Sequence, residues 1–402
     1  MQSSRGMLGG LALAVGLAAT PALAATVKLG VVLPYSGGAA DLGKQIQQGM
    51  DLYMELEGNA RLGEHRIEMI KRDSKGPGGD AAKTAVQELV VREKIDLLTG
   101  FVFSPNIIAS APLIEQAHLP TLILNAATAW IPSLSPNLAR VSMTMWQTSF
   151  PMGEYAAKTL GCQSAAVGYT DYPPGKDALA AFEQGFEGAG GEVVDAVPMG
   201  GPAEVPDFTP FMQRVKDAAP DCFYVFVPAG NHAAAVFKTY ADLDLAGAGV
   251  RLIGPGDITQ DTQLQVLGDA AVGVVTMGQY QADLDNPANQ KFVAAWKQAY
   301  GADSTPDFMA AQGYDGMAAI VAAVVEQDGA IDPDRTLAIW SGWSFDGPRG
   351  HVMIDPETRD IVQDMKVSEV YQDGGRLRTR TIETIPQVKD PCKALKVGRC
   401  AE

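Results

Sequence analysis

Residues 27–38 read Val27-Lys28-Leu29-Gly30-Val31-Val32-Leu33-Pro34-Tyr35-Ser36-Gly37-Gly38, a β-branched run that ends in a glycine-rich loop. Residues 41–56 follow with helical spacing: Leu42, Ile46, Met50, Tyr53 and Met54 share one face. Strand, loop and helix then recur. Strands are expected at 67–70, 95–100 and 120–124, with helices at 80–91 and 107–116. From residue 165 the alternation restarts, with strands at 165–169, 192–197, 223–227, 250–253 and 272–277 and helices at 177–188, 208–218 and 232–243. Strands alternating with helices at this spacing predict an α/β protein of two lobes, each a doubly wound parallel sheet covered on both faces. A crossing between lobes is expected near 145–153. Two more helices, 286–299 and 309–325, precede short β pieces at 351–354 and 367–372.

The chain has 402 residues, 31 Lys+Arg against 47 Asp+Glu, and a formal net charge of −16. That balance excludes nucleic acid and anionic membranes as partners, because phosphate recognition needs clustered Lys and Arg. Arg5, the apolar stretch 8–19 and the small-residue site Ala22-Leu23-Ala24 read as a signal peptide over 1–24, cleaved near Ala24. The mature chain is therefore expected in the periplasm. No later stretch reads as a membrane span. An exported chain can form disulfides. Cys392 and Cys400, eight positions apart, are expected to staple the tail, whereas Cys162 and Cys222 either pair or remain two buried thiols.

Catalytic patterns are missing. The four His show no metal-ligand spacing, and there is no nucleophile elbow, no phosphate loop and no dinucleotide fingerprint. No cofactor is expected, and a binding function is favoured over an enzyme.

Open parallel sheets bind ligands beyond the carboxyl ends of their strands, so the loops there are the candidate site. In the first lobe these loops carry Tyr35, Phe103-Ser104-Pro105-Asn106 and Asn125-Ala126-Ala127-Thr128. Ser104 ahead of Pro105 reads as a helix start, where free N–H groups and a hydroxyl suit a carboxylate. Plain helix capping is the competing reading. In the second lobe the loops carry Tyr172, Ala229 and Asp257, and Asp257 is the carboxylate placed to meet an ammonium group. Tyr280 and Tyr314 fall near the expected hinge and cleft.

Several short motifs, taken in order, strengthen this reading. They are VKLGVVLPYSG, Gln47-Gln48-Gly49-Met50-Asp51-Leu52, Leu124-Asn125-Ala126-Ala127-Thr128, Pro206-Asp207-Phe208-Thr209-Pro210-Phe211, Gln312-Gly313-Tyr314-Asp315 and Phe345-Asp346-Gly347-Pro348-Arg349-Gly350. Together they resemble the periplasmic solute-binding proteins of branched-chain amino-acid-type ABC importers, the type I Leu/Ile/Val-binding family. The resemblance spans essentially the whole mature chain. It implies the type I periplasmic-binding-protein fold, two lobes joined by a three-stranded hinge. The division it implies is 25–147 for lobe 1, 148–279 for lobe 2, 280–345 for a return to lobe 1, and 346–402 for completion of lobe 2 and the tail.

The resemblance further implies a monomer that hands a small carboxylate-bearing ligand to a membrane permease. Ser104, Ala126 and Thr128 would hold the α-carboxylate. The family's ammonium-binding acid falls on Gly256, one place before Asp257. Phe103, Trp130 and Ser142-Met143-Thr144-Met145-Trp146-Gln147 look more like relatives that bind aromatic carboxylates, so a branched-chain amino acid and an aromatic acid both stay open. Rival roles are a sensory binding protein that docks on a receptor and an exported enzyme on the same architecture.

Overall fold

The computed structural model describes residues 24–401. The signal-peptide segment expected over 1–24 therefore lies outside the described residues, apart from Ala24. Strands β1 (Thr26–Leu33), β2 (Arg66–Asp73), β3 (Leu97–Gly100), β4 (Thr121–Ile123) and β5 (Leu138–Arg140) form a parallel sheet in the order β2-β1-β3-β4-β5. In β1 the side chains alternate as the strand period demands. Leu29, Val31 and Leu33 enter one apolar cluster, and Val32 enters the cluster on the opposite face.

Helices Ala40–Tyr53 and Phe308–Glu326 cover the first face; Gly79–Glu88 and Ser104–Gln116 cover the second. The first two cross at a glycine on each. A Cβ at Gly49 would stand 2.0 Å from the Ala310 carbonyl oxygen, and one at Gly313 would stand 2.1 Å from that of Ile46. Only glycine permits that approach. Phe308–Glu326 is long and apolar enough to cross a membrane by length and composition, contrary to the sequence expectation, but it is almost wholly buried as the core helix of lobe 1.

The second sheet is mixed. Strands β6 (Ser164–Tyr169), β7 (Glu192–Pro198), β8 (Cys222–Phe226), β9 (Arg251–Pro255) and β10 (Val275–Gly278) run parallel. Strands β11 (Ser344–Gly347), β12 (Gly350–Ile354), β13 (Ile361–Asp373) and β14 (Arg376–Val388) extend it antiparallel. Of the short pieces expected near the end, 351–354 is β12 itself and 367–372 is part of the longer β13. The β13–β14 pair turns at Gly374-Gly375, both with positive φ, which is the geometry a two-residue hairpin requires.

The division expected at 345/346 is corrected. The β11–β12 hairpin packs on lobe 1, where Val352, Ile354 and Ile361 share a core with Tyr53, Trp340 and Met317. The passage into lobe 2 comes only along β13, which pairs with β12 at Ile361 and with β10 from Lys366 onward. The other two passages leave β5 for the helix Met145–Lys158 and leave β10 for the helix Pro287–Tyr300.

Both cysteine pairs are disulfides, Cys162–Cys222 with Cα atoms 5.9 Å apart and Cys392–Cys400 with Cα atoms 5.8 Å apart. The first ties β8 to the chain entering β6. The second closes the tail, whose Cys392 packs with Ala129, Trp146 and Ala181. Arg399 stacks over the Trp130 ring, 3.6 Å from its centroid.

Candidate ligand-binding cleft

One pocket lies at the carboxyl ends of both sheets. Lobe 1 supplies Leu42 after β1, Val102, Phe103 and Ser104 after β3, Asn125 and Ala127 after β4, and Met143 and Met145 after β5. Lobe 2 supplies Tyr172 and Pro174 after β6, Phe226, Pro228 and Ala229 from β8 and its loop, and Asp257 after β9. Met309 reaches it from the core helix of lobe 1.

The local backbone explains why Phe103 and Ser104 face this space. Gly100 has φ +117 and a Cβ there would stand 2.3 Å from the Val32 carbonyl oxygen. Phe101 then has φ +67, a left-handed conformation rare for a bulky residue. Its N–H donates to Val32 O and its carbonyl accepts from Ala126 N–H. The bend is therefore held from both neighbouring strands.

The wall of lobe 1 presents free donors. The Thr128 N–H donates to Ser104 Oγ at 3.2 Å, which leaves the Ser104 hydroxyl proton available. Among the described residues the Ala127 N–H has no acceptor and the Ser104 hydroxyl donates to nothing. Behind them Arg140, fully buried, fixes the loop. Its Nη1 donates to Ala126 O (2.7 Å) and Thr128 O (2.9 Å), its Nη2 to Ala129 O (3.1 Å), and its Nε to Asp360 Oδ1 (2.7 Å). Three carbonyls are thereby turned away from the pocket. No Lys, Arg or His lines the wall.

Across the cleft, Tyr172 and Phe226 lie nearly parallel with ring centroids 6.1 Å apart. Asp257 is the second residue of the short turn Gly256–Thr259 after β9, and burial pushes its carboxyl up to about 7. Burial also raises the Tyr172 hydroxyl far above its ordinary range.

Asp177, from the helix Pro173–Gly188 of lobe 2, accepts from the Ala129 N–H of lobe 1 at 2.7 Å. Burial pushes its carboxyl up to about 6. A raised carboxyl pKa means that the native state holds its proton longer than the unfolded state, so native stability falls as pH rises from about 4 to about 6. The variant Asp177→Asn is expected to gain stability relative to the parent across that window, on the order of 2 kcal/mol by pH 7. Urea unfolding at pH 4, 5.5 and 7 measures the difference; a difference flat with pH contradicts it.

Of the residues expected at the site, Phe103, Ser104, Tyr172, Ala229 and Asp257 line the pocket. The others sit elsewhere for identifiable reasons. Tyr35 donates to Gln47 Oε1, and Asn106 donates to the carbonyls of Gly76 and Gly78, tying down a loop. Ala126 packs under the sheet, and Thr128 lies behind Ser104 with its Oγ1 buried and unpaired. Tyr280 donates to Asn289 Oδ1 and Tyr314 to Glu57 Oε1, both inside the core of lobe 1. Leu42, Phe226 and Met309 were not singled out from sequence; each looks like an ordinary apolar position of its helix or strand. Asn125, Met143 and Met145 lie within quoted segments without an assigned role.

A pocket closed between two hinged α/β lobes, with unpaired donors on one wall and aromatic rings on the other, defines a protein that captures a small molecule between its lobes. Residues 26–375 match the family model described as periplasmic binding protein, and the chain belongs to that family. It is 38% identical over 382 residues to the Leu/Ile/Val-binding protein homolog 6 of Brucella melitensis, covering 94% of this chain and 97% of that one. Among solved structures it resembles a solute-binding protein of an ABC transporter from Rhodopseudomonas palustris BisB5 in complex with 3,4-dihydroxybenzoic acid. That likeness has 40% identity, a TM-score of 0.85, and coverage of 92% of this chain and 99% of that one. A second, from Rhodopseudomonas palustris HaA2 in complex with p-hydroxybenzoic acid, has 36% identity, a TM-score of 0.86, and coverage of 91% and 98%.

Proposed function

We propose that this chain is the solute-binding component of an ABC importer and that its ligand is an aromatic carboxylate. The observation that carries the reading is the pairing of two free donors, the Ser104 hydroxyl and the Ala127 N–H, with a wall that is mostly apolar and aromatic apart from Asn125 and Asp257. Neutral donors aimed at one point hold a carboxylate without a buried cation. Phe103, Tyr172 and Phe226, with the thioethers of Met143, Met145 and Met309, suit a flat ring. The Rhodopseudomonas palustris relatives, with benzoic acids bound, support the same ligand class.

A ligand that touches both lobes binds the closed form better than the open one, so capture is a shift of population toward closure. The exported chain, cut near Ala24, then presents its closed face to the permease as a monomer. A branched-chain amino acid is the second reading, favoured by one observation: Asp257, a carboxyl suited to an ammonium group, faces the pocket.

A thermal-shift screen of the ligand-stripped mature protein separates the two. Benzoate-type acids at 100 times their Kd add about 2.7 kcal/mol of stability, while leucine and valine add none. A shift with leucine alone overturns the aromatic reading. Ser104→Ala is expected to weaken binding of the responding acid by about 1–3 kcal/mol, measured by titration calorimetry; unchanged affinity removes Ser104 from the site.

A further inference from the structure

Two cations of the C-terminal tail reach the loop 126–130, which carries the Ala127 N–H. Lys393 pairs with Asp360, a buried carboxylate whose other cationic partner is Arg140. Arg140 in turn holds the carbonyls of Ala126, Thr128 and Ala129. Arg399 covers the ring of Trp130, the next residue of the same loop. Neither cation lines the pocket, and neither does Trp130. Both cations belong to one small ring: Lys393 follows Cys392, Arg399 precedes Cys400, and the disulfide closes the chain between them. The ring is seated as well as closed. Cys392 packs against Ala129 of the loop, Trp146 of the first passage and Ala181 of lobe 2. Asp390 caps the short helix Pro391–Leu395 and accepts from the Thr144 hydroxyl at 3.2 Å. Long cationic side chains on a free tail would lose backbone and rotamer freedom on making such contacts, whereas a closed, seated ring has already lost much of the backbone part.

We propose that the disulfide-closed ring 392–400 positions the ligand site from behind, with Lys393 and Arg399 as positioning residues that hold the loop 126–130 where the Ala127 N–H and the Ser104 hydroxyl meet a carboxylate. Lys393 acts through Asp360 and Arg140; Arg399 acts through Trp130. Ligand affinity therefore depends on a bond and two side chains that never touch the ligand. A tail that merely resisted fraying would need the disulfide and the packing of Cys392, but no cation placed on the binding loop. This inference rests on the carboxylate site proposed above and not on which carboxylate fills it, since an amino acid and an aromatic acid present the same group to Ser104 and Ala127.

The test is titration calorimetry of the ligand-stripped mature protein with benzoate and with leucine. The variants are Cys392→Ser/Cys400→Ser, Arg399→Ala, Trp130→Ala and Arg399→Ala/Trp130→Ala. The acid that the parent binds is expected to bind about tenfold more weakly to the double serine variant and about threefold more weakly to Arg399→Ala. Arg399 is exposed, so the ligand-free Arg399→Ala chain is expected to melt within about 2 °C of the parent, which separates the loss of affinity from a loss of fold. The Arg399→Ala/Trp130→Ala chain is expected to bind no more weakly than Trp130→Ala alone, because the two side chains act as one unit. Losses that multiply overturn the route through Trp130. Parental affinity in the double serine variant or in Arg399→Ala overturns the proposal and leaves a tail whose disulfide only resists fraying, while the carboxylate site stands. A parent that binds neither acid overturns the carboxylate site and this proposal with it.

Discussion

Replacing Arg140 by Met is expected to destabilise the folded chain by about 3–5 kcal/mol and to remove ligand binding from the molecules that stay folded. Its guanidinium is fully buried and makes four hydrogen bonds, three of them to the carbonyls of Ala126, Thr128 and Ala129. Met replaces the aliphatic stem of the side chain and brings no donors. The three carbonyls then lose their partner, and Asp360 keeps only Lys393. The loop is free to rotate the Ala127 N–H and the Ser104–Thr128 contact out of register with a carboxylate. Denaturant unfolding and ligand titration read the two effects separately. A variant that unfolds with the parent, or that binds with parental affinity, contradicts the role assigned to Arg140.

Arg349→Met is expected to cost a similar amount, about 3–5 kcal/mol, through a different route. Arg349 Nε meets Asp315 Oδ2 at 2.6 Å, Nη1 meets Ser142 O at 3.1 Å and Gln363 Oε1 at 2.6 Å, and Nη2 meets Val141 O at 2.7 Å. Asp315 belongs to the core helix of lobe 1, Val141 and Ser142 to the first passage between lobes, and Gln363 to β13, the last. One side chain thus ties a lobe to two of the passages between lobes. Its loss leaves Asp315, whose carboxyl burial already pushes up, without its counter-ion. Scanning calorimetry of the variant is expected to broaden or split the unfolding transition as the lobes lose their coupling. A single transition at the parental midpoint contradicts this.

Much of this architecture is legible in the sequence because β-branched runs and glycine-rich loops report local structure directly. The motifs around Gly49 and Gly313 are legible for a deeper reason: they are the two halves of one helix crossing. The candidate site is legible where it sits on the loops after strands, as for Ser104, Tyr172, Ala229 and Asp257. It fails where a side chain's partner is remote in the chain. Nothing near Tyr314 announces that Glu57 accepts its hydroxyl hydrogen bond. Arg140 is silent too, since contacts with backbone carbonyls leave no trace in residue type. Strand β14 was readable and missed. Its alternation Arg376-Leu377-Arg378-Thr379-Arg380 beyond Asp373-Gly374-Gly375 is a hairpin signal.

The late arrival of the core helix Phe308–Glu326 has a consequence for how this chain must be made. The sheet of lobe 1 is complete by Arg140, yet one of its faces stays bare until Gly313 meets Gly49 and the β11–β12 hairpin closes over it. A chain synthesised from its N-terminus therefore builds all of lobe 2's parallel strands before lobe 1 can settle. Such long-range closure makes folding slow and leaves apolar surface open meanwhile. That delay suits an exported protein, because a chain that cannot finish its first lobe early stays threadable until most of its length has been delivered across the membrane.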